Sequence, residues 1–62
     1  MNTYLILIQT NANTFEIKDY SAETSSRLYP KYRKDGIALA IREWSADNYA
    51  FLTGLKFNLE NA

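Results

Sequence analysis

The sequence predicts a small α+β fold in ββαβα order: a three- or four-stranded, mainly antiparallel sheet carrying one or two short helices. Three observations predict it. Tyr4-Leu5-Ile6-Leu7-Ile8 is apolar at every position, so both faces of a strand there need cover, as in the middle of a sheet. Phe15-Glu16-Ile17-Lys18 alternates apolar and charged residues, the pattern of an outer strand with one wet face. Ser21 and Ser45 each precede a short acidic stretch containing Glu23 or Asp47, the signature of an N-cap followed by an acid near the positive helix end.

Taken in order, Tyr4 to Ile8 forms the first strand, and Thr10-Asn11-Ala12-Asn13-Thr14 is a polar turn in which Asn tolerates left-handed backbone. Phe15 to Lys18 completes a hairpin. A helix then starts at Ser21, with Leu28 and Tyr32 one turn apart on its inward stripe and Tyr29 beside them. Pro30 lacks a backbone donor and disfavours helical geometry at Tyr29, which predicts a stop, kink or restart there. Asp35-Gly36 is a turn signal. Residues 37–44 fit either periodicity; Ile37, Leu39 and Ile41 alternate, so the reading is a strand with those three on one face. A second helix runs from Ser45 to a stop at Gly54, and Leu55-Lys56-Phe57-Asn58-Leu59 alternates as a short edge strand would. With the first strand central, the sheet order is second-first-third.

One internal echo supports this segmentation. Ile17-Lys18-Asp19-Tyr20-Ser21-Ala22-Glu23-Thr24 matches Ile41-Arg42-Glu43-Trp44-Ser45-Ala46-Asp47-Asn48 in character position by position, and Leu28 and Leu52 keep the same offset. Such an echo is expected of a duplicated unit, or of any strand that runs into a capped helix. Either origin gives both stretches one strand-to-helix conformation.

Composition excludes more than it assigns. The 62 residues make a single small domain, 1–62, with seven basic and seven acidic side chains and therefore no net charge to drive it onto nucleic acid or anionic lipid. Cysteine and histidine are both absent, which removes disulfides, thiolate chemistry, the commonest general base and the commonest metal ligands. With no leader-like segment at the N-terminus and an apolar run far short of the ~20 residues a spanning helix needs, the expected location is cytoplasmic, away from membranes. A hydrophobic share of 47% suits a folded chain, yet a domain of about 60 residues buries only ~60% of its unfolded surface.

The hydrophobic strand from Tyr4, the outer strand of Phe15 and Ile17, the helix start at Ser21 and Glu23, Tyr32, Gly36, and Ile37 and Leu39 opening a third strand together resemble the DpnD/PcfM-like small domains over about residues 3–45. Pro30 and the stretch after Trp44 depart from that pattern. The resemblance implies a phage or mobile-element setting without established chemistry, and no functional residue carries over.

Three sets of residues bear on function. Arg27, Lys31, Arg33 and Lys34 lie within eight positions, interleaved with Tyr29 and Tyr32 and no acid; cations neutralise phosphates and rings stack bases, while the same cations near a helix C-terminus simply complement its dipole. Asp19 with Glu23 and Glu43 with Asp47 are the only paired carboxylates placed for acid–base work, and each pair straddles an N-cap where acids belong anyway. Neither cap serine has a histidine partner, and no glycine-rich phosphate cradle exists. The nine aromatic residues form the third set; Trp44, Tyr49, Phe51 and Phe57 crowd the last third, and on a helix Phe51 lies about 160° from Tyr49, so two faces need cover. Tyr, Trp and Arg are the residue types enriched where proteins bury one another. The expectation is a non-enzymatic module without cofactor or metal, binding another protein or a second copy of itself through Tyr29, Tyr32, Arg33, Trp44, Tyr49 and Phe51, with nucleic acid as the alternative partner through Arg27, Lys31, Arg33 and Lys34. Its size class and the family resemblance point to a phage- or plasmid-encoded inhibitor of a host system such as a defence complex.

Overall fold

The computed structural model describes residues 2–62; Met1, the first residue of the segment read above for a leader, lies outside them. Strand β1 (Thr3–Asn11) turns into β2 (Thr14–Ser21), helix α1 (Ala22–Lys34) leads to β3 (Ala38–Glu43), and helix α2 (Ala46–Glu60) follows. The three strands lie in the order β2-β1-β3, with both outer strands antiparallel to β1. The α+β class, the ββαβα order and the central first strand all hold, and the ambiguous third segment is a strand.

The centre of β1 is buried on both faces, with Leu5, Ile6, Leu7 and Ile8 at 2%, 0%, 0% and 8% exposure. Alternation along the strand divides them. Leu5 and Leu7 pack with Phe15 of β2 and Leu52 of α2, flanked by Ile17, Ala40 and Leu55. Ile6 and Ile8 pack with Ala38 on the other face, flanked by Tyr20, Tyr29, Tyr32, Ile37 and Ile41. Each helix therefore covers one face. α1 does so mainly with tyrosines and with Ser25, buried at 2%, whose small side chain lets the first turn approach the sheet. Burial, and the Tyr32 hydroxyl beside it, raise the Tyr20 phenol above its ordinary pKa.

The echoed segments adopt the shared conformation. Ser21 Oγ accepts from the Thr24 amide at 3.2 Å and Ser45 Oγ from the Asn48 amide at 3.0 Å, so each serine caps the helix that its strand feeds. At the far end of α1 the Gly36 amide reaches Arg33 O at 3.1 Å and the Ile37 amide reaches Tyr32 O at 2.8 Å. With Gly36 at φ 75°, this pair of bonds is a Schellman ending, and Ile37 and Tyr32 pack on the same core.

Five local expectations are corrected. The Asn turn contains no left-handed residue, since Gly36 is the only positive φ among the described residues; instead Asn11 Oδ1 accepts from the Asn13 amide at 3.1 Å, an Asx turn, and the register slips between Gln9 and Asn11. Pro30 neither ends nor interrupts α1, which runs through it; the ring is exposed and Ser26 O forgoes a helical donor. Leu28, half-buried, lies outside the α1-side cluster, where Ser25, Tyr29 and Tyr32 make the inward stripe. Ile37, Leu39 and Ile41 do not share a face: Ile8 pairs with Ala38 but Leu7 with Ala40, so Leu39 is the extra residue of a bulge and is 42% exposed. Gly54 does not stop α2, and residues 55–59 are helix and not a fourth strand. Leu52 and Leu55 at helical spacing cover the Leu5/Leu7/Phe15 face, which a nine-residue helix would leave partly bare.

Gly36→Ala should destabilise the fold by about 1–2 kcal/mol, the penalty for a side chain in left-handed backbone. Pro30→Ala should stabilise it by roughly 1–2 kcal/mol through the restored Ser26 bond, part of the gain being offset by a freer unfolded chain. Urea denaturation of the two variants checks both signs.

Candidate interaction surface

The sheet has two open edges, and α2 touches both. The Trp44 amide donates to Thr3 O at 2.8 Å and the Ala22 amide to Asn2 O at 3.3 Å. Together with the registers, these bonds fix which way each backbone group points, because antiparallel pairs alternate between bonded and non-bonded. Ile41 and Glu43 of β3 and Phe15 of β2 then present their amide groups outward. Asn48 Nδ2 donates to Glu43 O at 2.8 Å, Arg42 Nη1 donates to Ile41 O at 2.7 Å, and the Phe15 amide donates to Glu60 Oε2 at 3.3 Å. Side chains thus occupy edge groups that would otherwise invite another strand.

Exposed apolar surface gathers around α2. Trp44, Tyr49, Phe51 and Phe57 are 51%, 51%, 53% and 63% exposed. At about 100° per residue, with Leu52 pointing inward, Tyr49 and Phe57 lie on one flank and Phe51 on the other, so rings stand on both sides of the buried leucine line. The Arg42 guanidinium sits 5.5 Å from the centroid of Phe51, a cation–π distance that ties the ring toward β3. Alternation along β3 places Trp44 on the same sheet face as Ala40 and Arg42.

The residues expected to form one contact set fall into two groups. Trp44, Tyr49 and Phe51 belong to the α2 side. Tyr29 and Tyr32 are half-buried under α1 against the opposite face, and Arg33 Nη1 donates to the Tyr29 hydroxyl at 3.0 Å. The expected set leaves out Arg42, which sits beside Phe51, and the exposed Phe57; carrying the 3.6-residue period past Gly54 would have brought Phe57 beside Tyr49. Among the basic residues, Arg27, Lys31 and Lys34 recur at i, i+4 and i+7 on the outward side of α1, all exposed, while Arg33 lies off that stripe. None of the four is ion-paired among the described residues, where the salt bridges join Lys18 to Glu16 and Lys56 to Glu60. Asp19, Glu23, Glu43 and Asp47 are all exposed at strand and helix ends. A hollow of about 220 Å³ lies on the α1 face between Tyr4, Ala22, Ser25, Ser26 and Ile41; no charged side chain lines it.

No helix is long and apolar enough to cross a membrane among the described residues. Comparison of the chain with protein-family models, with curated proteins and with solved structures gives no match.

Glu60 accepts from Lys56 Nζ at 3.0 Å as well as from the Phe15 amide. Those two donors hold its carboxyl below the ordinary carboxylate pKa, the lysine being the larger cause. A carboxyl lowered in the folded state contributes stability above its unfolded pKa and loses it as pH falls through the folded value. Glu60→Gln should therefore be less stable than the parent at pH 7, and the gap should close as pH drops below about 4, the ordinary carboxylate range. Thermal unfolding across pH 2.5–7 would show it; a gap that does not depend on pH would refute the assignment.

Proposed function

We propose that this chain is a non-enzymatic binding protein that acts by stoichiometric contact with another protein through the aromatic surface of α2 and the β3–α2 junction. The observation that carries the reading is the half-or-greater exposure of Trp44 at the β3–α2 junction and of Tyr49, Phe51 and Phe57 on a helix already anchored by Leu52. A helix that buries one line of leucines and exposes large rings on both flanks is one whose outer side meets something. Large, stiff side chains lose little entropy on burial and dominate interface energies. The occupied backbone groups at both sheet edges favour side-chain docking over strand addition. The small size and the family resemblance support an inhibitor carried by a phage or plasmid, acting in the cytoplasm on a host system such as a defence complex. Within that reading Trp44, Tyr49 and Phe51 form the contact, and Tyr29, Tyr32 and Arg33 support α1.

A second reading rests on the outward Arg27, Lys31 and Lys34 stripe with Arg33 nearby: four cations without carboxylate partners can track a phosphate backbone.

Light cross-linking of the tagged chain in its native cells, followed by capture, separates the two. Protein docking predicts a defined partner held in about 0.5 M salt, where exposed charges are screened, and retention reduced about tenfold or more by Phe51→Ala or Trp44→Ala, the scale of an interface anchor. A captured set indifferent to both substitutions would sink the reading. Nucleic-acid binding predicts affinity that falls steeply with salt and disappears on charge reversal at Lys31 and Lys34.

A further inference from the structure

We propose that the hollow between the first turns of α1 and the end of β3 receives an arginine side chain of a protein partner, with Glu43 as its counter-ion. This rests on the protein-binding reading and deepens it by naming the chemistry that the partner presents. α1 starts at the end of β2 and finishes beside the start of β3, on the far side of β1. It therefore crosses its sheet face on a diagonal and leaves two corners of that face uncovered. The sequence treats the two corners differently. At the start of β2 the uncovered side chains are Glu16 and Lys18, registered with Ile8 and Ile6, and they close an ion pair at 3.5 Å. At the end of β3 they are Ile41 and Glu43, registered with Ile6 and Tyr4. Here Tyr4 and Ile41 wall the hollow of about 220 Å³ together with Ala22, Ser25 and Ser26. The first corner is closed by its own charges; the second is an apolar recess beside an unused one.

Three features define the occupant. The hollow is smaller than the roughly 300 Å³ at which small-molecule sites begin, a size that suits one side chain. Its two serine hydroxyls already donate, Ser26 to Glu23 O at 2.8 Å and Ser25, itself 2% exposed, to Tyr20 O at 3.5 Å. What they keep free is acceptor capacity, which calls for a donor. Glu43 is exposed, stands directly opposite Tyr4 and has no ion-pair partner among the described residues. Its neighbour Arg42 lies on the other sheet face, over Phe51, and Lys31, Arg33 and Lys34 occupy the last turn of α1, at the opposite end of the molecule. Because β2 and β3 end together, Asp19 and the first-turn acids Glu23 and Asp47 strengthen the negative field at this end. A guanidinium carries five donors and no acceptor, stacks on an aromatic face and pairs bidentately with a carboxylate. Arginine therefore meets all three demands, its methylene stem lying along Ile41 and Ala22 while its head reaches Glu43. Trp44 follows Glu43 and stands on the opposite face, so a partner that grips the β3–α2 junction reaches both.

Amide NMR of the isotope-labelled chain, titrated with N-acetylarginine N-methylamide, tests the site directly. The amides of Ser25, Ser26, Ile41 and Glu43 should shift and saturate in the millimolar range. The citrulline analogue, which keeps the stem and loses the charge, should bind about tenfold more weakly, the scale of one charge-assisted hydrogen bond. Glu43→Gln should bring arginine down to the citrulline level, and Ser26→Leu, an exposed position whose larger side chain fills the hollow, should abolish the shifts while the rest of the spectrum stays dispersed. No saturation by about 0.1 M, equal binding of the two compounds, or indifference to Glu43→Gln overturns the proposal. In capture from native cells, Ser26→Leu should weaken retention of the partner as Phe51→Ala does. A partner lost on Phe51→Ala but held by Ser26→Leu overturns the arginine contact and leaves the protein-binding reading intact. Arginine binding in a chain that captures no protein overturns the partner as the source of the guanidinium.

Discussion

Everything in this fold depends on one strand that cannot be left bare on either side. Four consecutive side chains, Leu5 to Ile8, are buried, two toward each helix. At about 25 cal/mol per Å² of apolar surface removed from water, burying them is the main source of stability open to a chain without disulfides. Flanking strands satisfy the backbone of β1, but only cover from above and below removes its side chains from solvent. Both helices are therefore obligatory, although the chain is short enough that neither can be long.

The two covers are made differently. α1 lies against the sheet through Ser25, whose buried hydroxyl faces Tyr20 O at 3.5 Å, and through Tyr29 and Tyr32, amphipathic rings whose hydroxyls meet Arg33 and Tyr20. Its cations gather in the last turn, where they complement the helix dipole. α2 seals its face with Leu52 and Leu55 and ties itself down at its ends, through Asn48 to one sheet edge and Glu60 to the other. Anchoring by two polar contacts and a narrow leucine line leaves most of the circumference of α2 free. That freedom is what puts its rings in solvent.

Much of this was legible in the residues. The two-sided apolar run gave the central strand, the Ser caps gave both helix starts, and Gly36 gave the turn. The errors came where a local signal was weaker than the tertiary demand. Gly54 reads as a stop, yet a glycine in a helix costs only about 1 kcal/mol, less than extending the leucine line over Leu5 and Leu7 returns. Pro30 is tolerated because its ring faces solvent. The bulge at Leu39 was invisible because alternation assumes an unbroken ladder, and one extra residue reverses the faces on either side of it. The exposed aromatic surface was half legible: ring-rich composition singled out Trp44, Tyr49 and Phe51, which stand in solvent, but which tyrosines turn inward depends on the side of α1 that meets the sheet, and charge spacing alone did not show it.

The paired Ser21 and Ser45 junctions have a geometric consequence. Ile17 and Tyr20 fall on opposite sheet faces, and their counterparts Ile41 and Trp44 fall on the reverse of each, because Ile17 is registered with Leu7 and Ile41 with Ile6. A half-turn about β1 combined with a one-residue slide carries one strand–helix unit onto the other, and that operation is the natural screw symmetry of an extended chain. Even-numbered residues of β1 bond one unit and odd-numbered residues the other, so the two halves have a common spine that neither can keep if its twin is removed. The molecule should accordingly melt as one body.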